Sequence, residues 1–173
     1  DNPYLMNIAS GLNKIFYGSE ENLYINGRVT GNSPYLTFEW KAGKDGEKHE
    51  VQTQLIGEYN FPNALAAITI GTFFGVEADK INEALSNYTP QNNRSQLKKT
   101  ADNTLIIDAY NANPTSMMAA LENFNRMKVK HKMLILGDMR ELGAESAAEH
   151  QKIVDFIKEC EFEKVILVGN QFT

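Results

Sequence analysis

Along the first part of the chain, apolar and polar positions alternate with period two. Leu36, Phe38 and Trp40 are interleaved with Thr37, Glu39 and Lys41, and Val51, Thr53 and Leu55 with Gln52, Gln54 and Ile56. This predicts strands with one wetted face over residues 23–56. The run Gly43-Lys44-Asp45-Gly46 between two of them predicts a hairpin turn. From residue 63 to 74 the texture changes. Ala64, Leu65, Ala66, Ala67, Ile68, Ile70, Phe73 and Phe74 leave almost no polar face, which predicts a deeply buried helix, and Gly75 is placed to stop it. Ile81, Leu85 and Tyr88 recur at helical spacing and predict a second helix over 78–88.

Residues 89–93, Thr-Pro-Gln-Asn-Asn, are short, polar and turn-prone, and predict a boundary between one domain over residues 1–91 and another over 92–173. Beyond it strands and helices alternate. Strands are predicted at 104–107, 133–136 and 165–168. Helices are predicted at 115–127, with Met117, Leu121 and Phe124 inward, and at 146–160, with Ile153, Ile157 and Cys160 inward. Continuous apolar strands joined by helices imply a parallel sheet covered on both faces. The expected fold class is therefore α/β: a part-domain of strands plus a buried helix, then a Rossmann-like βαβαβ unit.

Bulk properties narrow the function. The 173 residues are 42% hydrophobic, enough for one ample core or two small ones. A formal charge of −5 with no Lys/Arg run argues against a nucleic-acid surface. No run approaches the roughly 20 apolar residues needed to cross a bilayer, and Asp1-Asn2-Pro3-Tyr4 is unlike a signal sequence, so a cytoplasmic setting is expected. The chain starts without Met and stops just after a strand, which suggests a piece of a longer polypeptide. Cys160, the single cysteine, is expected to be buried and inert.

The most informative stretch is Asp108-Ala109-Tyr110-Asn111-Ala112-Asn113-Pro114-Thr115-Ser116-Met117. An apolar strand delivers an acidic residue into an Asn/Pro turn that opens a helix, and α/β proteins place ligands beyond the carboxyl ends of such strands. Asp108 could accept from ribose hydroxyls or help hold magnesium; alternatively, Asp108 and Asn111 simply cap the helix. Asn60 and Asn63 offer amide donors and acceptors able to read a base edge, or are N-caps. Arg94 offers a fork of donors for phosphate, or forms a surface salt bridge. The loop Gly137-Asp138-Met139-Arg140-Glu141-Leu142-Gly143 falls after the next strand. His49, His131 and His150 lack partners at metal-ligand spacing, so no zinc site is expected; His150 could line the cleft below the loop 137–143, but reads rather as a half-exposed helical residue. There is no Gly-x-Ser-x-Gly elbow and no phosphate-binding glycine loop, since Gly43-Lys44 has Phe38 where the first glycine belongs. No catalytic residue and no metal ligand is assigned.

Taken in order, Asp1-Asn2-Pro3, residues 57–67 (Gly-Glu-Tyr-Asn-Phe-Pro-Asn-Ala-Leu-Ala-Ala), Asn93-Arg94-Ser95, the stretch 108–117 and residues 136–143 (Leu-Gly-Asp-Met-Arg-Glu-Leu-Gly) resemble the Mur ligases. Within them the similarity is to the branch that adds a D-alanyl-D-alanine dipeptide. The resemblance implies an ATP-dependent, magnesium-using ligase of peptidoglycan synthesis. Such an enzyme joins D-alanyl-D-alanine to UDP-N-acetylmuramoyl-tripeptide through an acyl-phosphate. It further implies that Asn63 approaches adenine, Arg94 contacts the nucleotide and Asp108 binds its ribose. Asn60, Tyr110, Asn111 and Asn113 would line the same cleft, and Asp138 and Glu141 would face the incoming dipeptide. Tyr59 stands where the family often has His. The family's phosphate loop, most magnesium-binding carboxylates and N-terminal substrate domain are not among these residues. The isolated chain is therefore expected to be inactive, with apolar surface exposed and a tendency to self-associate. A folylpolyglutamate-type or other Mur ligase, or a non-catalytic nucleotide-binding module, is the alternative.

Overall fold

The computed structural model describes residues 3–91 and 93–172. Asp1 and Asn2 of the first matching stretch, Asn92 of the linker and Thr173 lie outside the described residues. A short helix, Pro3–Ile8 (α1), and a two-residue strand, Tyr17–Gly18 (β1), precede three long strands: Ile25–Asn32 (β2), Tyr35–Ala42 (β3) and His49–Ile56 (β4). They form one sheet in the order β1-β2-β3-β4, with β1 parallel to β2 and the other pairings antiparallel. The expected hairpin at residues 43–46 joins β3 to β4. Leu36, Phe38 and Trp40 all face the core. On β4 the alternation holds for Val51 and Thr53 and then breaks, because a register shift opposite residues 35–37 changes the phase. Ile56 is buried instead, while Leu55 only flanks the core. The hydroxyl of Thr53 accepts from the Leu55 N–H (3.1 Å) and donates to the Leu36 carbonyl (2.9 Å), satisfying backbone groups where the ladder is irregular.

Helix Phe61–Phe73 (α2) lies on this sheet through Phe61, Ala64, Leu65 and Ile68, and Ala78–Asn87 (α3) joins it through Ile81. The rings of Phe38 and Phe61 are 5.4 Å apart, and the Trp40 indole N–H donates to Asn82 Oδ1 at 2.9 Å. Two expectations change here. α2 is not buried all round, since only one of its sides meets the sheet; Ile70, Phe73 and the following Phe74 are 61, 57 and 77% exposed. Tyr88 leaves the apolar stripe because α3 ends at Asn87 and residue 88 is already extended. The stop at Gly75 is as expected, with the N–H groups of Gly75 and Val76 closing on the carbonyls of Thr72 and Gly71.

The second half contains Gln96–Lys99 (β5), Thr104–Ile107 (β6), Pro114–Arg126 (α4), Met133–Gly137 (β7), Ser146–Lys158 (α5) and Lys164–Val168 (β8). β7 and β8 pair in parallel, register Met133 to Lys164. β6 does not extend that ladder: it pairs antiparallel with β5, a strand the periodicity did not reveal. The tight turn at residues 100–103, closed by Thr100 N–H to the Asn103 carbonyl at 2.8 Å, gives β6 a local partner. Leu121, Leu134, Met139 and Ile153 form the centre of a second apolar cluster. The sheet is not covered on both faces, for Ile135 and Val168 are 65 and 55% exposed. Cys160 lies past the end of α5 and is half-buried, not buried. Desolvation first, and Glu159 second, push its thiol above the ordinary range, with Lys132 pulling the other way.

Candidate functional site

β4 ends at Ile56, and Gly57 turns the chain sharply into a 3₁₀ turn, Glu58–Asn60, that leads into α2. Gly57 has φ +92°, and a Cβ there would collide with the Tyr59 ring, so the aromatic lies directly against this backbone. Tyr59 and Asn60 are thereby aimed at the start of β5. The phenol oxygen is 2.8 Å from Ser95 Oγ and donates to Asp108 Oδ2 at 3.2 Å. Asn60 Nδ2 donates to the Ile56 carbonyl (2.9 Å) and to Ser95 Oγ (3.4 Å), and Asn60 Oδ1 accepts from Asn63 Nδ2 at 3.4 Å. Asn60 is the N-terminal flanking residue of α2 but makes no side-chain cap bond, so the capping alternative is not realised for it.

Across the junction, Asn93 and Ser95 both have left-handed backbones, φ 56° and 46°. For serine this conformation is costly and has to be held in place by its surroundings. Ala109 N–H donates to the Asn93 carbonyl (2.8 Å), and the Ser95 N–H donates to Asp108 Oδ1 (3.3 Å). Arg94, projecting between them, forms no ion pair among the described residues; its guanidinium lies over the Tyr110 ring, 3.7 Å from the centroid. The helix cap belongs to Asn113, whose Oδ1 accepts the Ser116 N–H (2.9 Å) in a reciprocal capping box, with Pro114 in the first turn. Capping by Asp108 and Asn111 is thus overturned. Asp108 and Asn111 are both exposed, and the Asp108 carboxylate is turned toward the junction.

Tyr59 is the titrating group whose surroundings act most strongly here. Burial chiefly, then the Asp108 charge against the pull of Ser95, pushes its phenol up to about 12. The neutral phenol is favoured in the folded state, so its share of stability is intact below the unfolded value near 10 and is lost as pH rises from there through about 12. Urea midpoints measured from pH 9 to 12 should fall more steeply for the unsubstituted chain than for Tyr59→Phe. Parallel curves would show that the phenol is not buried at this junction.

A second loop cluster lies at the ends of β7 and β8. Asp138 accepts the N–H groups of Asn170 (2.9 Å) and Gln171 (3.2 Å). The buried Met139 donates its N–H to Nε2 of His150 at 3.0 Å. With Nε2 accepting, Nδ1 carries the proton and donates to the Ser146 carbonyl at 2.7 Å. His150 is 1% exposed, correcting the half-exposed expectation. Its spacing to Ile153 and Ile157 on one helical stripe was the available signal. Glu141 is exposed with φ 65°. The two loops border an open cleft of about 640 Å³. Among the described residues no group of three His, Cys, Asp or Glu could hold a metal ion, and no helix is long and apolar enough to cross a membrane.

Residues 93–173 match the family model described as Mur ligase, glutamate ligase domain. This chain belongs to the Mur ligases. It is 34% identical over 147 residues to the UDP-N-acetylmuramoyl-tripeptide--D-alanyl-D-alanine ligase of Escherichia coli, covering 84% of this chain and 31% of that protein. The crystal structure of MurF from Acinetobacter baumannii superimposes with a TM-score of 0.77 at 26% identity, over 90% of this chain and 33% of that one. MurF ligase from Thermotoga maritima, solved in complex with ADP, has the same fold, with a TM-score of 0.77 at 19% identity over 98% of this chain and 42% of that one. The chain thus spans about a third of the curated relative's length. The mixed α/β architecture is that of the Mur ligase family, and the junction between the two apolar clusters brings together three of the residues for which the resemblance implies a nucleotide role. Asn60, Asn63 and Asp108 are linked through Ser95 and Tyr59. Asn113 is committed to its cap, and Asp138 to backbone N–H groups. Ser95 was named in the sequence only as part of a matching run; its left-handed backbone leaves no compositional trace.

Proposed function

We propose that this chain is the nucleotide-facing part of an ATP-dependent ligase joining D-alanyl-D-alanine to UDP-N-acetylmuramoyl-tripeptide in the cytoplasm. Residues 1–91 form part of its central ATP-binding domain, and 92–173 the first part of its C-terminal domain. The observation that carries this reading is the exposed Asp108 carboxylate held at the junction. Each of its oxygens accepts one hydrogen bond from the chain and keeps a second acceptor site. Two adjacent open acceptors on an anchored carboxylate suit a vicinal diol, and ribose is one. The Thermotoga relative was solved with ADP, which supports a nucleotide here.

Around that diol, Asn63 would approach adenine. Arg94 lies over Tyr110 with its donors unspent on any carboxylate among the described residues, and it would meet phosphate. Asn60 holds Ser95 and Asn63 in place more directly than it could read a base. Asn111 would line the cleft. Glu141, on the loop pinned by Met139 and His150, would face the dipeptide, and Asp138 would act by shaping that loop. When bound, ATP supplies the activated phosphoryl group that makes the acyl carboxylate reactive toward an amine. Magnesium has no triad of ligands among the described residues, so no step is assigned to it. With no phosphate loop, these residues lack the larger electrostatic terms of phosphoryl transfer, and the isolated chain is expected to be inactive.

Phosphate release by the natural full-length polypeptide carrying these residues, given ATP, UDP-N-acetylmuramoyl-tripeptide and D-alanyl-D-alanine, tests the reading. Turnover is expected, and Asp108→Ala should raise the KM for ATP on the order of 30-fold or more, the scale of a charged hydrogen-bond pair. Turnover of a folate with glutamate in its place, or an unchanged KM, would overturn it.

A further inference from the structure

Asp108 is the exposed end of a directed chain of donors that starts in the other apolar half of the molecule. Asn60 Nδ2 donates to Ser95 Oγ, and Tyr59 donates its single proton to Asp108 Oδ2. With that proton committed, the 2.8 Å contact between the two hydroxyls is made by Ser95 donating to the phenol oxygen. Every link points at the carboxylate. The arrangement is pre-set on both sides. Gly57 at φ +92° lets the Tyr59 ring lie against the backbone, and Ser95 is kept left-handed by the N–H it gives to Asp108 Oδ1. A phenol is protonated across the neutral range in any case, and burial extends that state upward to about 12, so the link is a donor at neutral pH.

We propose that Tyr59, anchored by Ser95, is a positioning residue for Asp108: it fixes the carboxylate so that its open acceptor sites face the ribose hydroxyls of the nucleotide. The inference rests on the ribose reading of Asp108 given above and adds the residue that orients it. A carboxylate held at one oxygen only by a backbone N–H can still rotate about its Cα–Cβ and Cβ–Cγ bonds. A second bond to the other oxygen, from a group that is itself hydrogen-bonded, removes that freedom before ligand arrives. Because the phenol comes from the β4–α2 connection and the carboxylate from the end of β6, this orientation exists only while the two halves meet as they do here.

The test compares ADP with 2′,3′-dideoxy-ADP by calorimetry on the natural full-length polypeptide. The unsubstituted protein is expected to prefer ADP, and Asp108→Ala to abolish the preference. Tyr59→Phe, which keeps the ring and its packing, should cut ADP affinity roughly tenfold, the worth of one hydrogen bond to a charged group. It should leave dideoxy-ADP affinity unchanged. Ser95→Ala should move the preference in the same direction. Equal weakening of both nucleotides in Tyr59→Phe would assign the phenol a merely structural role and overturn the proposal. So would full retention of the preference in Tyr59→Phe while Asp108→Ala loses it, a result that leaves the ribose reading standing. An unsubstituted protein that binds the two nucleotides equally would remove the ribose reading itself, and this inference with it.

Discussion

Phe38→Ala is expected to lower the unfolding free energy of the first apolar cluster by about 3–5 kcal/mol, the usual cost of emptying a large buried aromatic site. Phe38 is fully buried at the middle of β3, with the Phe61 ring 5.4 Å away on α2. Sheet and helix both line the vacancy, and neither can collapse into it without shifting a hydrogen-bonded ladder. The single tryptophan, Trp40, lies two residues along the same strand, so its fluorescence reports the transition directly. Because α2 begins where Tyr59, Asn60 and Asn63 cluster, the substitution should also erode the junction. A loss below about 1 kcal/mol, the range of a surface change, would mean that β3 and α2 are not packed through this ring.

Gly169→Ala should produce the second large effect, confined to the other half. Gly169 has φ +122°, a conformation that L side chains rarely adopt, and an added Cβ would run into the Asp138 carboxylate. Backbone strain together with the loss of the bonds from Asn170 and Gln171 to Asp138 amounts to about 2–4 kcal/mol. The apolar clusters share no residue. The circular-dichroism melt should therefore lose its C-terminal component while the Trp40 fluorescence transition stays put. If Trp40 shifts equally, the halves unfold as one unit and the separation inferred from their cores is wrong. An unchanged melt in both signals would remove the Asp138 turn as a stabilising element.

Much of this was legible in the sequence because it depends on short-range physics. Alternation fixed Leu36, Phe38 and Trp40 to one face, helical spacing found Ile81, Leu121 and Ile153, and the Asn-Pro pair at 113–114 marked a helix start. The failures share a different cause. Leu55 and Ile56 exchanged places because a bulge is set by the partner strand, which periodicity within one strand does not see. β5 escaped notice because Lys98 and Lys99 give it no apolar pattern, and its pairing with β6 is decided by the turn between them. α2 read as buried throughout because composition records the apolarity of Ile70 and Phe73 but not what stands beside them. At the site, sequence order singled out Asp108, Asn60 and Asn63. The bridge through Tyr59 and Ser95 joins residues 36 and 49 positions apart, which no local pattern encodes.

The contacts described between the two halves are hydroxyl, amide and carboxylate, and neither greasy cluster reaches across. Parting such a seam wets few hydrocarbon groups, so it releases little of the heat capacity that accompanies unfolding. Any opening of it would then be nearly indifferent to warming or cooling over the range in which either core melts. Solutes that compete for hydrogen bonds would move it more readily than temperature does.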